Sequence, residues 1–398
     1  MFYNFNLYTP TKIAFGKGKE AGVADLVQEF GGSRVLLVYG GKSAERSGLL
    51  HKIRDSLDAS GLYHRELGGV VPNPHLGKVY EGIALAKEDH LDFMLAVGGG
   101  SVIDTAKAIA YGVAEPDYDV WELYTGARQA KSCAPVGVIL TIAAAGSETS
   151  TGSVITDERN GSKRAYDDDL ARPRFAIMNP ELTVTLPDYQ TESGCVDIMM
   201  HTLERYFTQG GNPEITDGIA HTILRVVMKN AKILHTDPTN YDARAEVMWA
   251  GSLSHNNLTG CGNMESDWST HMLEHELGGM FDVTHGAGLA ALWPSWARYV
   301  MDSNLHRFVS LAVNVLNVTP EDGMTEEEIA EKGIQAMEDF FRSVGMPTNL
   351  HELGLDVTPD QIEAMASSCE EASGGSMGSA KVLFKADMIK IYEMANRH

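Results

Sequence analysis

The chain is 398 residues long, more than one ordinary compact domain, so two domains are expected. With 43% hydrophobic and 8% aromatic residues it has the balance of a soluble globular protein. Against 32 bases stand 54 acids, and the net charge of −22 excludes nucleic acid and anionic membrane surfaces as partners, since both need a basic face.

Residues 1–10 carry neither a basic start nor an apolar core, so no signal peptide is expected. Apolar runs such as 35–39 and 93–97 are strand-sized, far short of the roughly 20 residues of a membrane helix. Cys133, Cys195, Cys261 and Cys369 are widely separated and form no CxxC pair. That argues against a disulfide framework or a zinc ribbon, and a reducing cytoplasm is the expected setting.

Residues 34–39 (RVLLVY) read as a buried strand ending in Gly40-Gly41. Residues 43–60 follow as a helix, with Leu49, Leu50, Ile53 and Leu57 at helical spacing. A second strand, 93–97, ends in Gly98-Gly99-Gly100, and Ser101 is the expected N-cap of the next helix. Residues 136–141 form a third apolar run. Strands alternating with helices imply a parallel sheet covered on both faces. Near Leu186-Pro187 the pattern changes. Residues 197–208, 213–234, 241–257 and 326–344 all have helical spacing, and strand signals become scarce. The expected architecture is an α/β dinucleotide-binding domain over 1–186 and an all-helical domain over 187–398 that binds metal and substrate.

Three constellations carry chemistry. In Val97-Gly-Gly-Gly-Ser101-Val-Ile-Asp104 a strand ends in glycines and feeds a helix N-terminus. Backbone N–H groups and the helix dipole there suit a diphosphate, although such a turn is also a common tight connection. In Asp197-x-x-x-His201-x-x-Glu204 the three positions share one helix face, so Asp197 and His201 can meet one cation. The third runs from Trp268 through His271, Glu274 and His275 to Asp282-Val-Thr-His285-Gly286. One carboxylate with several imidazoles suits Zn²⁺, Fe²⁺ or a related ion. Spacing leaves open which of His271 and His275 is a ligand.

These motifs, in this order, resemble the iron-containing (group III) alcohol dehydrogenase family in its butanol-dehydrogenase-like branch. The likeness takes in Pro10-Thr-Lys-Ile-Ala-Phe-Gly16, Val71-Pro-Asn-Pro74, the Gly98–Ser101 turn, Ala145-Gly-Ser-Glu148, Asn179-Pro-Glu-Leu182 and both metal motifs. It implies that Asp197, His201, His271 and His285 hold the metal and that His275 lies beside it, near nicotinamide and substrate. Gly99, Gly100 and Ser101 match the diphosphate turn; Asp104, Asn73, Thr141 and Lys163 match cofactor-contacting positions. It further implies a site in the cleft between two domains, and a homodimer. Ala145 replaces a frequent threonine and Asn179 a frequent aspartate, which puts single cofactor contacts in doubt but not the metal set.

The implied activity is hydride transfer between a nicotinamide cofactor and a small alcohol or aldehyde, with the metal as Lewis acid. Met199, Met200, Met272, Met280, Phe281 and Trp268 near the ligand motifs favour short aliphatic substrates such as butanol. The alternatives are a polyol dehydrogenase of the glycerol or 1,3-propanediol type, a dehydroquinate-synthase-like lyase, and a non-enzymatic metal or nucleotide module. NAD-using members of the family carry an acid after the strand matching 35–39, where it accepts from the ribose 2′-hydroxyl. Here Gly40, Gly41, Lys42 and Ser43 follow, offering N–H, ammonium and O–H donors to a 2′-phosphate. NADP is therefore the expected cofactor, with NAD the alternative.

Overall fold

In the computed structural model, which describes residues 2–211 and 213–397, the chain divides into two compact units. One spans Tyr8–Thr185. The other begins at Leu186 and also takes in the N-terminal segment up to Leu7, where the Tyr3 N–H donates to the Gly262 carbonyl at 3.0 Å. The first residues, counted from the sequence with the α/β domain, thus pack on the helical unit.

The α/β unit is built on a six-stranded sheet. Its strands are β1 (Lys12–Phe15), β2 (Arg34–Tyr39), β3 (Tyr63–Leu67), β4 (Phe93–Gly98), β5 (Val136–Leu140) and β8 (Phe175–Met178). Every pairing is parallel and the order is β1-β8-β5-β4-β2-β3. A separate antiparallel hairpin joins β6 (Gly152–Asp157) to β7 (Ser162–Asp167). The helices are α1 (Val23–Glu29), α2 (Ser43–Arg46), α3 (Leu49–Ala59), α4 (Leu76–Glu88), α5 (Gly100–Ala114) and the single turn α6 (Trp121–Tyr124). Val35, Leu37, Phe93, Leu95, Val97, Ile139 and Ile177 form a core with Val27, Leu50, Ile53 and Leu57. Leu36, Val38, Met94 and Ala96 on the opposite face are buried too, which is why these strands read as unbroken apolar runs.

Two local expectations change. Residues 43–60 are two helices, because Gly48 (φ +77°) adopts a left-handed conformation that stops α2 before α3 begins. The helix after the triple glycine starts at Gly100 with Gly99 as N-cap, so Ser101 lies inside its first turn. Gly99 is extended there, and the strand turns into the helix two residues earlier than a cap at Ser101 would allow.

The helical unit contains α7 (Asp188–Tyr206), α8 (Glu214–Thr236), α9 (Tyr241–His255), α10 (Ser269–Phe281), α11 (His285–Val300), α12 (Leu305–Asn314), α13 (Glu326–Ser343), α14 (Pro359–Ala372) and α15 (Lys385–Ala395). Helix α7 packs on α8, α9 and α11, and every residue from Thr191 to Tyr206 is buried. Carboxylates and imidazoles on so deep a helix need partners, since an isolated buried charge is costly. Among the described residues, no helix is long and apolar enough to cross a membrane.

Candidate functional site

The helical unit gathers three segments at one point. Helix α7 supplies Asp197, His201 and Glu204, α10 supplies His271, Glu274 and His275, and α11 begins at His285. Asp197 Oδ1 is 3.5 Å from His201 Nδ1, 3.7 Å from His271 Nε2 and 3.7 Å from His285 Nε2. Ligand atoms sharing one ion at about 2.1 Å in a tetrahedron stand about 3.4 Å apart, so these spacings fit a common centre. Asp197 Oδ1, His201 Nδ1 and His271 Nε2 are buried and make no hydrogen bond. Three buried bare acceptors on one point are costly without a cation to share, and the donor set fits a divalent ion. Asp197, His201 and His271 form one cluster with ligand geometry; Glu274, His275 and His285 form a second beside it.

Two glutamates aim the imidazoles. Glu204 Oε1 accepts from the His271 backbone N–H and stands against His271 Nδ1, both at 2.9 Å. Glu274 pairs with His285 Nδ1. Each carboxylate fixes the tautomer with the proton on Nδ1, leaving the Nε2 lone pair towards Asp197. Burial pulls the His271 imidazole down, but with no cation in place the Asp197 and Glu204 carboxylates outweigh it and hold its pKa at about 9, so a bound ion would take the place of the Nε2 proton. Burial pushes His201 well below its usual value, with His255 and His271 adding to the effect.

Helix α10 is held under strain at both ends. Trp268 (φ +60°) and Asp282 (φ +52°) are left-handed, a conformation costing a non-glycine residue about 1–3 kcal/mol. The Arg205 guanidinium lies 4.6 Å over the Trp268 ring, which turns an edge to His271 and His201 at 5.3 and 6.1 Å between centroids. Asp267 accepts from the N–H groups of Ser269, Ser379 and Ala380 and so anchors the start of the helix. Burial, reinforced by Glu204, pushes the Asp267 carboxyl up to about 7.

Of the apolar side chains expected around the ligands, Trp268 meets the imidazoles directly. Met199 and Met200 are fully buried core, Met272 and Phe281 are half-buried, and Met280 is exposed. The His275 ring, half-buried, is 5.8 Å from His285. Glu204 and Glu274 stood inside the motifs without a role; their spacing of seven residues from Asp197 and three from His271 was the available signal. His255, whose ring lies 4.0 Å from that of His201, had no signal, because α9 meets α7 only through the fold.

In the α/β unit the strand order reverses between β2 and β4, and ligands of such sheets bind at the carboxyl ends flanking that point. Tyr39 of β2 pairs with Val97 of β4, so the Gly40–Ser43 and Gly98–Ser101 turns emerge side by side. A Cβ on Gly99 would stand 2.9 Å from Ile142 Cβ, and one on Gly100 3.0 Å from Ala145 Cβ. The Thr141 N–H donates to the Gly98 carbonyl at 3.0 Å, which holds the β5–β6 connection against the same turn. Asn73 is left-handed (φ +51°) and half-buried, and Lys163 is buried on β7. Asp104, expected to touch cofactor, spends one oxygen on the Ser147 hydroxyl at 2.6 Å and the other on the Val154 N–H at 2.9 Å.

A switch-point glycine turn in one unit and a carboxylate–imidazole cluster in the other are the parts of an enzyme that uses a dinucleotide and a divalent metal. Comparison with known proteins places it further. Residues 10–180 match the family described as iron-containing alcohol dehydrogenase, and residues 191–396 match the C-terminal part of the Fe-containing alcohol dehydrogenase family. The chain belongs to this family, in its butanol-dehydrogenase-like branch, and is an NAD(P)-dependent oxidoreductase of the iron type. It is 38% identical to NADH-dependent butanol dehydrogenase A of Clostridium acetobutylicum, over 98% of this chain and 99% of that one. It is 37% identical, with the same coverage, to an NADPH-dependent aldehyde reductase of Escherichia coli. The crystal structure of NADH-dependent butanol dehydrogenase A from Thermotoga maritima matches with a TM-score of 0.95 at 34% identity, covering 100% of this chain and 99% of that one.

Proposed function

We propose that this chain moves hydride between NADP(H) and short aliphatic alcohols or aldehydes of the butanol and butanal kind. In this reading Asp197, His201, His271 and His285 hold one divalent ion, Fe²⁺ or Zn²⁺. The observation that carries it is the convergence of buried, bare imidazole nitrogens on Asp197 Oδ1. The ion supplies Lewis acidity towards the substrate oxygen. The nicotinamide supplies or accepts the hydride. The chain's own residues position and protect these groups. Glu204 and Glu274 keep the His271 and His285 rings facing inward. Trp268 lends an apolar aromatic edge beside the ligands. His275, half-buried on α10, relays the alcohol proton towards water, since imidazole titrates near neutral pH. The reading takes the α/β unit as cofactor domain and the helical unit as metal and substrate domain, in a cytoplasmic homodimer.

The test is consumption of NADPH with butanal, followed at the nicotinamide absorbance band. Steady oxidation is expected, with kcat/KM higher for butanol than for glycerol in the reverse direction. No turnover of butanal at any metal loading sinks the proposal, and a preference for glycerol makes the enzyme a polyol dehydrogenase.

Cofactor choice rests on the turn after β2. Gly41, Lys42 and Ser43 are exposed there, and the next acid, Glu45, is held in a two-pronged bond by Arg54 at 3.0 and 2.8 Å. The turn therefore presents donors with no carboxylate to repel a 2′-phosphate. NADPH is expected to have the lower KM, measured against NADH at one salt concentration. Gly40→Asp should raise KM for NADPH far more than for NADH. Gly41→Asp is the cleaner variant, because a Cβ at Gly41 meets nothing within 4 Å while one at Gly40 meets the Val70 carbonyl at 3.3 Å. A wild-type preference for NADH, or equal shifts for both cofactors, means this turn does not read the ribose.

A further inference from the structure

Lys107 is fully buried on α5. Its ammonium donates to the Ser147 hydroxyl at 3.1 Å, the Ser150 carbonyl at 3.0 Å, the Ser150 hydroxyl at 3.4 Å and the Gly152 carbonyl at 2.7 Å. The Ser147 and Ser150 acceptors lie in the connection between β5 and β6, and Gly152 opens β6. Asp104, one turn earlier on the same helix face, grips the same stretch through Ser147 and Val154. The Ser153 hydroxyl donates to the Asp104 carbonyl at 3.1 Å, and Arg172 reaches the Thr149 carbonyl at 2.6 Å.

Fold stability alone gives little reason for an ammonium here. A buried charge loses its hydration, and apolar residues of similar volume often replace buried ion pairs without loss. Burial pulls the Lys107 pKa down to about 8, against the pull of Asp104. What an apolar side chain would not supply is donors to the Ser150 carbonyl and the Ser147 and Ser150 hydroxyls of this irregular loop. That loop forms a wall of the glycine turn. The Ile142 and Ala145 Cβ atoms stand 2.9 and 3.0 Å from where Cβ atoms on Gly99 and Gly100 would be, and α5, which carries Lys107, begins at that turn.

We infer that Lys107, with Asp104, is a positioning residue for the cofactor: it locks the end of the β5–β6 connection and the start of β6, residues 147–154, to helix α5 and so sets the width of the diphosphate turn. The inference rests on the dinucleotide reading of that turn. It also gives Asp104 a different role from direct cofactor contact.

The experiment titrates NADPH and NADH against wild type, Lys107→Met and Ser147→Ala by nicotinamide fluorescence, with kcat, metal content and thermal midpoint measured on the same samples. A turn that is no longer held at the right width must be ordered when the diphosphate binds, so Lys107→Met should raise the cofactor Kd about tenfold. Its kcat at saturating cofactor should fall much less, and its metal content should match wild type. Ser147→Ala, which keeps the lysine and removes the hydroxyl that bridges Lys107 and Asp104, should raise Kd in the same direction by less. A folded Lys107→Met with wild-type Kd overturns the inference. So does a loss of kcat, metal and thermal midpoint together with no separate effect on Kd. If Lys107→Met does not fold, an unchanged Kd in Ser147→Ala overturns it. Wild type that binds neither cofactor fails the dinucleotide reading itself, which these variants do not touch.

Discussion

His271→Ala is expected to lose metal and activity together. His271 Nε2 is buried, makes no hydrogen bond and stands 3.7 Å from Asp197 Oδ1, with Glu204 behind it to fix its tautomer. Removing the ring takes away a donor and leaves the buried Glu204 carboxylate without its imidazole partner, so the remaining ligands hold a cation less well. Lewis-acid stabilisation is worth several kcal/mol, so kcat/KM for butanal should fall by about a thousandfold or more. Metal should drop to a small fraction of one equivalent per chain by elemental analysis. Glu204→Gln should be milder, about ten- to a hundredfold in metal affinity, because the ligand remains and loses its orientation. His275→Ala should keep its metal and lose rate. Full metal occupancy in His271→Ala makes the ligand assignment wrong.

Gly286→Ala should be nearly as damaging, without touching a ligand. Gly286 follows His285 at the start of α11, and a Cβ there would lie 2.0 Å from the Ser193 carbonyl oxygen and 2.7 Å from its carbon. The obstacle is the backbone of α7, which no side-chain rotation relieves. Helix α11 must shift away from α7, carrying His285 away from Asp197, which is on α7. Overpacking of this kind costs about 1–3 kcal/mol and more when backbone must move. The variant should show a lowered thermal midpoint, weaker metal retention and a strongly reduced kcat/KM. Gly41→Ala, where a Cβ meets nothing within 4 Å, is the control and should leave metal content unchanged. Wild-type metal content and rate in Gly286→Ala would show that α7 and α11 are not held at this spacing.

The legibility of the fold differed by element. Strands β2, β4 and β5 are buried on both faces, so their composition alone marks them. Strand β3 (Tyr63–Leu67, YHREL) sits at the sheet edge with four of five residues partly or fully exposed, and nothing in its composition marks a strand. The break at Gly48 was equally silent, because a glycine within helical spacing signals a left-handed stop only when the next helix turns away.

The sequence by itself determined the residue types of the site. The Asp197 and His201 spacing puts both on one face of any helix, the histidines from 271 to 285 are unusually dense, and a triple glycine follows a buried strand. These are local facts, fixed by helical and strand periodicity. Tertiary structure decided which atoms meet. Asp197 lies 74 residues from His271 and 88 from His285; only the packing of α7 against α11, and the Glu204 bond to the start of α10, bring their Nε2 atoms to one oxygen. The same holds for Lys107, an ordinary helical lysine in the sequence. Its burial and its grip on residues 147–152 follow from the hairpin folding onto α5, a contact that periodicity does not encode.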